Sequence, residues 1–183
     1  KTFTGCHWVI KKIKESPKSL GFIGATTYGQ LRNTTMTALF NEFTRMEIPF
    51  SYNQSSGIFE SCGKQFLCKS LDNYDPLRGI EIGEMWLDEC AYIKKEAFEV
   101  MTGRLRDKRG KLDVLLTTTP KGFNWLHDYF HPSGEKYNPM MYHFINAKTS
   151  ANIHLPEGYL ESLKQQYDTK LQRQELDGEF INI

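Results

Sequence analysis

Residues 84–89 read Glu-Met-Trp-Leu-Asp-Glu, an apolar core of three followed by the adjacent carboxylates Asp88 and Glu89. A run this short, closed by charge, predicts a buried strand ending in two acids. A second such strand is predicted at 112–117 (Leu-Asp-Val-Leu-Leu-Thr), followed by Thr118, Thr119 and Pro120. Between them, residues 94–107 have helical spacing. Strand, helix and strand in this order predict parallel neighbours, and ligands of parallel sheets bind beyond the carboxyl ends of the strands.

The same alternation continues outward. Residues 20–25 (Leu-Gly-Phe-Ile-Gly-Ala) read as another buried strand. Residues 3–15 read as a helix, with Phe3, Val9, Ile10 and Ile13 on one face and Ser16-Pro17 ending it. A longer helix is predicted over 30–46, where Leu31, Thr35, Leu39 and Phe43 recur at every fourth position. Residues 47–71 read as β: one strand opening at Ile48-Pro49-Phe50, then 57–60 and 65–70 flanking a turn at Cys62-Gly63-Lys64. Residues 73–79 read as a loop. Beyond Pro120 the expectations are a helix at 123–130, a strand at 142–146, and helices at 156–167 and 171–176. The fold class is α/β, a mainly parallel sheet flanked by helices.

Composition narrows the function. The chain has 183 residues, 39% hydrophobic and 25% charged, which is ordinary for a globular protein. Lys and Arg number 23 against 22 Asp and Glu, a net charge of +1. A protein that coats nucleic acid by bulk charge is excluded, so any contact with nucleic acid is local or made within an assembly. Cys6, Cys62, Cys68 and Cys90 include no CxxC pair and read as reduced thiols. No run of 18 apolar residues is present, so no membrane partner is expected.

Three strand or helix ends carry the chemistry. Asp88 at a strand end can hold Mg²⁺, and Glu89 can orient and deprotonate a water aimed at a γ-phosphate. Thr117, Thr118 and Thr119 can hydrogen-bond a phosphate or its attacking water, although β-branched residues before a turn are also common. Lys1-Thr2 directly before a helix has the form of the last two residues of a phosphate-binding loop. Lys-Thr, then strand-Asp-Glu, then strand-Thr-Thr-Thr is the order a RecA-like NTPase requires.

With these residues the chain resembles the ATPase domain of the large terminase subunit, the DNA-packaging motor of tailed bacteriophages. Lys1-Thr2 resembles the end of the Walker A loop, and Trp86-Leu87-Asp88-Glu89-Cys90-Ala91 resembles Walker B, with Cys90 where the family often has Ala. Residues 23–32 (Ile-Gly-Ala-Thr-Thr-Tyr-Gly-Gln-Leu-Arg) are similar to the second strand and its loop. Asp75-Pro76-Leu77-Arg78-Gly79 resembles the stretch ahead of Walker B. Thr117 to Thr119 with Pro120-Lys121-Gly122 is similar to the coupling motif, and Glu175-Leu176-Asp177-Gly178-Glu179-Phe180 to the ATPase-to-nuclease junction.

The resemblance implies a RecA-like P-loop NTPase of the ASCE type that uses ATP and Mg²⁺. Lys1 would contact the β- and γ-phosphates. Thr2 and Asp88 would hold the metal, Glu89 would be the catalytic base, and Thr117, Thr118 and Thr119 would couple hydrolysis to DNA movement. Arg78 would be an arginine finger supplied to a neighbouring subunit; the alternative is a loop arginine paired with Asp72 or Asp75. The implied partners are double-stranded DNA, the portal protein, the small terminase subunit and copies of the chain in a homo-oligomeric ring. The implied setting is the host cytoplasm, transiently at the procapsid portal. The chain begins Lys1-Thr2-Phe3 without Met, so 1–183 is expected to be part of the ATPase domain, truncated at the P-loop, with its glycines and strand upstream and a nuclease downstream. Such a piece is expected neither to bind ATP tightly nor to package DNA by itself. The alternatives are the first lobe of a DEAD-like helicase and a non-catalytic DNA-binding or assembly module.

Other features read as structural. His127 and His131 are four apart on an expected helix without a third ligand nearby. The basic run Arg104, Arg106, Lys108, Arg109 and Lys111 reads as the solvated end of a helix, with contact to DNA or a neighbouring subunit as the alternative. Trp8, Trp86 and Trp125 read as core.

Overall fold

In chain order the structure, a computed structural model that describes residues 1–182, begins with α1 (Thr2–Glu15) and β1 (Gly21–Ala25). Next, α2 (Tyr28–Gln30) runs through a π-helical turn (Leu31–Met36) into α3 (Thr37–Arg45). β2 (Ser51–Asn53), β3 (Ile58–Ser61), β4 (Lys64–Ser70), β5 (Glu84–Asp88), α4 (Lys95–Thr102) and β6 (Asp113–Thr117) complete the first compact unit, Lys1–Thr118. The second unit starts at Thr119 and contains α5 (Trp125–Phe130), α6 (Tyr159–Gln166) and α7 (Thr169–Glu175).

The six strands form one sheet in the order β2-β3-β4-β1-β5-β6. β4, β1, β5 and β6 are parallel, and β2 and β3 extend the β4 side as antiparallel strands. β1 and β5 are buried at every residue, as expected for interior parallel strands read from unbroken apolar runs. β6 forms an edge and is mostly half-buried.

Register sorts the side chains by face. Ile23 pairs with Cys68 and Trp86, and Trp86 with Leu115, so these four share one face. α1 adds Cys6 and Val9 to that core, α3 adds Leu39 and Phe43, and the hairpin adds Phe59 and Phe66. On the same face, Lys64 and Glu84 lie at the strand starts and Asp88 and Thr117 at the strand ends. Lys64 is fully buried. Its three ammonium protons are shared among four acceptors: Glu84, Ser19 Oγ at 2.9 Å, and the carbonyls of Ser16 and Ser19 at 2.7 and 2.6 Å. Burial pulls Lys64 below the ordinary lysine value, with Glu84 opposing the shift. Removing one partner of such a buried pair costs about 3–5 kcal/mol.

The expected hairpin forms with a tighter turn. Cys62 and Gly63, at φ 50° and 79°, make the two-residue connection, and Lys64 already pairs with Ser61. The strand expected from Ile48 starts instead at Ser51, past Pro49, which has no N–H for a ladder. The helix expected over 94–107 stops at Thr102. There the chain is captured by the approach to β5: the Arg104 carbonyl accepts from Ile82 N–H, and the N–H groups of Arg106 and Asp107 donate to the Ile82 carbonyl. The basic run therefore lies on a loop, with Arg109 paired to Asp107 at 2.7 Å.

In the second unit, Asn124 caps α5 by accepting from Leu126 N–H, and Asp168 caps α7 by accepting from Leu171 N–H. The strand expected at 142–146 does not form; no strand occurs among the described residues of this unit. Its alternating aromatics pack on side chains instead: Tyr142 lies against Tyr129 and Phe130, and Phe144 against Phe180. His127 and His131 stack with ring centroids 4.6 Å apart, and both meet Ser133 Oγ.

Gly5 tests the packing of α1. A Cβ there would fall 1.9 Å from the ring of Trp86, itself fully buried. In an isolated helix Gly→Ala stabilises by about 1 kcal/mol. Here we expect Gly5→Ala to destabilise by about 1–3 kcal/mol through overpacking, read as a lower urea midpoint.

Candidate functional site

Asp88 ends β5 directly opposite Thr117 of β6, and in-register neighbours of parallel strands share a face. Both therefore point to the side covered by α1, whose first residue is Thr2. The result is a buried carboxylate surrounded by hydroxyls. Thr117 Oγ1 donates to Asp88 Oδ1 at 2.7 Å. Thr35 Oγ1 donates to Oδ2 at 2.9 Å. Thr2 Oγ1 lies 3.2 Å from Oδ2 and 3.4 Å from Oδ1, and its one proton serves either. The backbone N–H of Glu89 adds a bond to Oδ1 at 3.1 Å.

Thr117 is fixed from both sides. It accepts from the indole N–H of Trp86 at 2.8 Å while donating to Asp88. A hydroxyl has one proton, so Thr117 donates to Asp88 and nothing else. Thr118 Oγ1 accepts from the backbone N–H of Ala91 at 3.1 Å, just past Glu89. Thr119 is the first residue of the second unit.

Glu89 adopts a left-handed conformation, φ 48° and ψ 44°. This is uncommon for a residue with a long side chain, and it turns Glu89 away from the direction of the strand. Its carboxylate meets the ammonium of Lys1 at 3.0 Å, and both side chains remain partly exposed. Cys90 and Cys6 line the buried side. Burial, reinforced by the charges of Glu89 and Asp88, pushes the Cys90 thiol far up. Burial, with Glu42 and Asp88, pushes Cys6 up to about 12. Neither thiol is a nucleophile near neutral pH.

The structure thus brings together Lys1, Thr2, Asp88, Glu89, Thr117 and Thr118. Arg78 lies on a 3-10 turn, Asp75–Gly79, where a loop was expected, and engages its own segment: its Nε donates to Asp75 at 3.0 Å, its guanidinium lies over Tyr74, and its carbonyl accepts from Arg104. Two participants escaped the sequence reading of the site. Thr35 was visible only as the one hydroxyl in the every-fourth pattern of a buried helix face. Trp86 read as core, and its polar N–H acts besides.

Chemically, the start of α1 offers a positive dipole end and the Lys1 ammonium, which together suit an anion. The Thr2 hydroxyl and the Asp88 carboxylate are hard oxygen donors of the kind Mg²⁺ takes, and Mg²⁺ needs only one or two from a protein. Among the described residues no three His, Cys, Asp or Glu side chains converge as metal ligands.

Residues 1–182 match the family described as terminase large subunit, T4likevirus-type, N-terminal. The chain belongs to that family. It is 30% identical over 139 residues to the PBSX phage terminase large subunit of Bacillus subtilis (strain 168), covering 64% of this chain. It is 27% identical over 131 residues to the terminase large subunit of Thermus phage G20c, covering 70% of this chain. The chain spans only 32% and 25% of the lengths of these relatives. Among solved structures, the large terminase of a thermophilic bacteriophage in complex with ADP superposes with a TM-score of 0.78 at 18% identity, covering 98% of this chain and 44% of that one. The Thermus phage P74-26 large terminase ATPase domain gives 0.72 at 20% identity, covering 98% and 84%. The fold is the mixed α/β P-loop NTPase fold of these terminases.

The linked bonds of Thr117 make a direct prediction. Thr117→Val leaves the Trp86 N–H unpaired and removes a donor from a buried carboxylate. We expect a loss of about 1–3 kcal/mol, measured by denaturant unfolding, with Thr117→Ser recovering most of it.

Proposed function

We propose that this chain is part of the ATPase domain of a large terminase subunit, hydrolysing ATP to drive double-stranded viral DNA into a procapsid. The observation that carries the reading is the convergence of Lys1, Thr2, Asp88 and Glu89 at the start of α1 and the end of β5. In this reading the domain is RecA-like, of the ASCE type. Residues 1–183 form a portion of it, with the glycine-rich part of Walker A before Lys1 and a nuclease after the ATPase domain.

Each residue then has a job. Lys1 exchanges Glu89 for the β- and γ-phosphates of ATP, which draw its ammonium more strongly than one partly exposed carboxylate. Glu89, released and still held aside by its left-handed backbone, orients and deprotonates the attacking water. Mg²⁺ held by Thr2 and Asp88 would neutralise charge on the phosphates. Thr2, whose hydroxyl donates to Asp88, would have oxygen lone pairs left to offer the ion. Thr117, Thr118 and Thr119 couple the site to motion, Thr117 through Asp88 and Thr118 through the turn after Glu89.

Arg78 is the finger offered to a neighbouring subunit. Its pair with Asp75 is solvent-exposed, at 59% and 74%. Exposed pairs of this kind contribute about 1 kcal/mol or less, on the order of thermal energy. A phosphoryl group on an adjacent subunit can therefore draw the guanidinium away. The partners in this reading are DNA, the portal protein, the small terminase subunit and other copies in a ring. The site of action is the host cytoplasm at the portal.

In the full-length protein, Glu89→Gln should lower ATP turnover by about 10²-fold or more while nucleotide binding persists. Arg78→Ala should lower turnover in the assembled ring by about 10³-fold and leave that of isolated subunits nearly unchanged. Steady-state hydrolysis with and without ring assembly reads both. Full turnover by Glu89→Gln would remove the reading.

A further inference from the structure

The helix after β1 departs from α geometry at one place, Leu31–Met36, where it forms a π turn. Leu31, Thr35, Leu39 and Phe43 are all buried, and they recur at every fourth residue. At 3.6 residues per turn, each step of four drifts by about 40°, so three steps drift by about 120° in a regular helix. A wider π turn takes up part of that drift and keeps all four on the sheet side. Thr37 Oγ1 supports the turn by donating to the Arg32 carbonyl at 3.0 Å. π turns are rare, and they are frequent at functional sites.

The turn delivers Thr35, with no exposed surface, to Oδ2 of Asp88 at 2.9 Å. The bonds to Oδ1 are already numerous: Thr117 and the Glu89 N–H both donate there. On Oδ2 the only other donor among the described residues is Thr2, at a longer 3.2 Å and able to turn to Oδ1. Rotation of the carboxylate about its own axis is therefore opposed, on the Oδ2 side, by Thr35.

We propose that Thr35, delivered by the π turn, is the positioning residue that sets the orientation of Asp88 toward Thr2 and the Mg²⁺-nucleotide. The inference rests on the ATPase reading above and names a residue that acts through Asp88 without touching the nucleotide. Without the hydroxyl, Oδ2 recruits the Thr2 proton full time and the carboxylate plane turns toward it. The pair then no longer presents the geometry a six-coordinate ion requires.

The test uses the full-length protein and its Thr35→Val and Thr35→Ser variants. Binding of a fluorescent ADP analogue is titrated with and without Mg²⁺, and ATP turnover is followed against Mg²⁺ concentration. Thr35→Val should lose roughly tenfold of the Mg²⁺-dependent gain in affinity, with Mg²⁺-free affinity within about twofold of the parent. The Mg²⁺ concentration for half-maximal turnover should rise in parallel, and Thr35→Ser should restore both. A Thr35→Val protein with the full Mg²⁺-dependent gain overturns the proposal. So does a folded Thr35→Ser protein that lacks it, which decides the matter if Thr35→Val fails to fold. Failure of the parent protein to bind the analogue in a Mg²⁺-dependent way overturns the ATPase reading itself, and this proposal with it.

Discussion

Asp88 is a buried carboxylate that, among the described residues, is held by hydrogen bonds. A polar group in a protein interior is strongly disfavoured unless it is hydrogen-bonded. Four donors supply the bonds, each from a different feature of the chain: the start of α1, the π turn, the end of β6 and the turn after β5. Each of those features is therefore constrained by one side chain. The register of β5 on β6, the depth at which α1 crosses the sheet and the width of one helical turn must all agree at Asp88. Gly5 belongs to the same constraint, because only a residue without a side chain lets α1 come down onto Trp86.

The sheet face under α1 has polar ends and an apolar middle. Lys64, Ser19 and Glu84 close one end, and Asp88 with its hydroxyls closes the other. Between them lie Ile23, Trp86, Phe66 and Cys68. The two ends solve the same electrostatic problem differently. At the strand starts a lysine neutralises the acid, which makes a closed structural pair. At the strand ends the acid is met, among the described residues, by three hydroxyls and a backbone N–H. Trp86 joins the middle to the working end through its N–H to Thr117.

Much of this was legible in the amino-acid order. Buried parallel strands announce themselves as unbroken apolar runs, and β1, β5 and β6 fell within a residue of their expected limits. The acids at the end of β5 and the hydroxyls at the end of β6 were legible because a strand's end is also where its ligands bind. Thr35 was not, since a hydroxyl in a helical stripe has no partner visible in sequence, and the spacing of four does not declare which turn is π. The stop of α4 at Thr102 was hidden because the competing partner, Ile82, lies before β5. The missing strand at 142–146 shows the weakness of short alternation: aromatic packing inside one unit satisfied the pattern without a ladder.

The two adjacent acids are separated by backbone, and joined again through β6. Asp88 is the last residue of the strand, whereas Glu89 leaves it in a left-handed turn toward Lys1. Independent motion would follow if nothing else tied them. Yet Thr117 bonds Asp88 and its neighbour Thr118 bonds the Ala91 N–H, so the end of β6 grips both Asp88 and the turn that carries Glu89. A shift of β6 along its axis must strain both bonds at once.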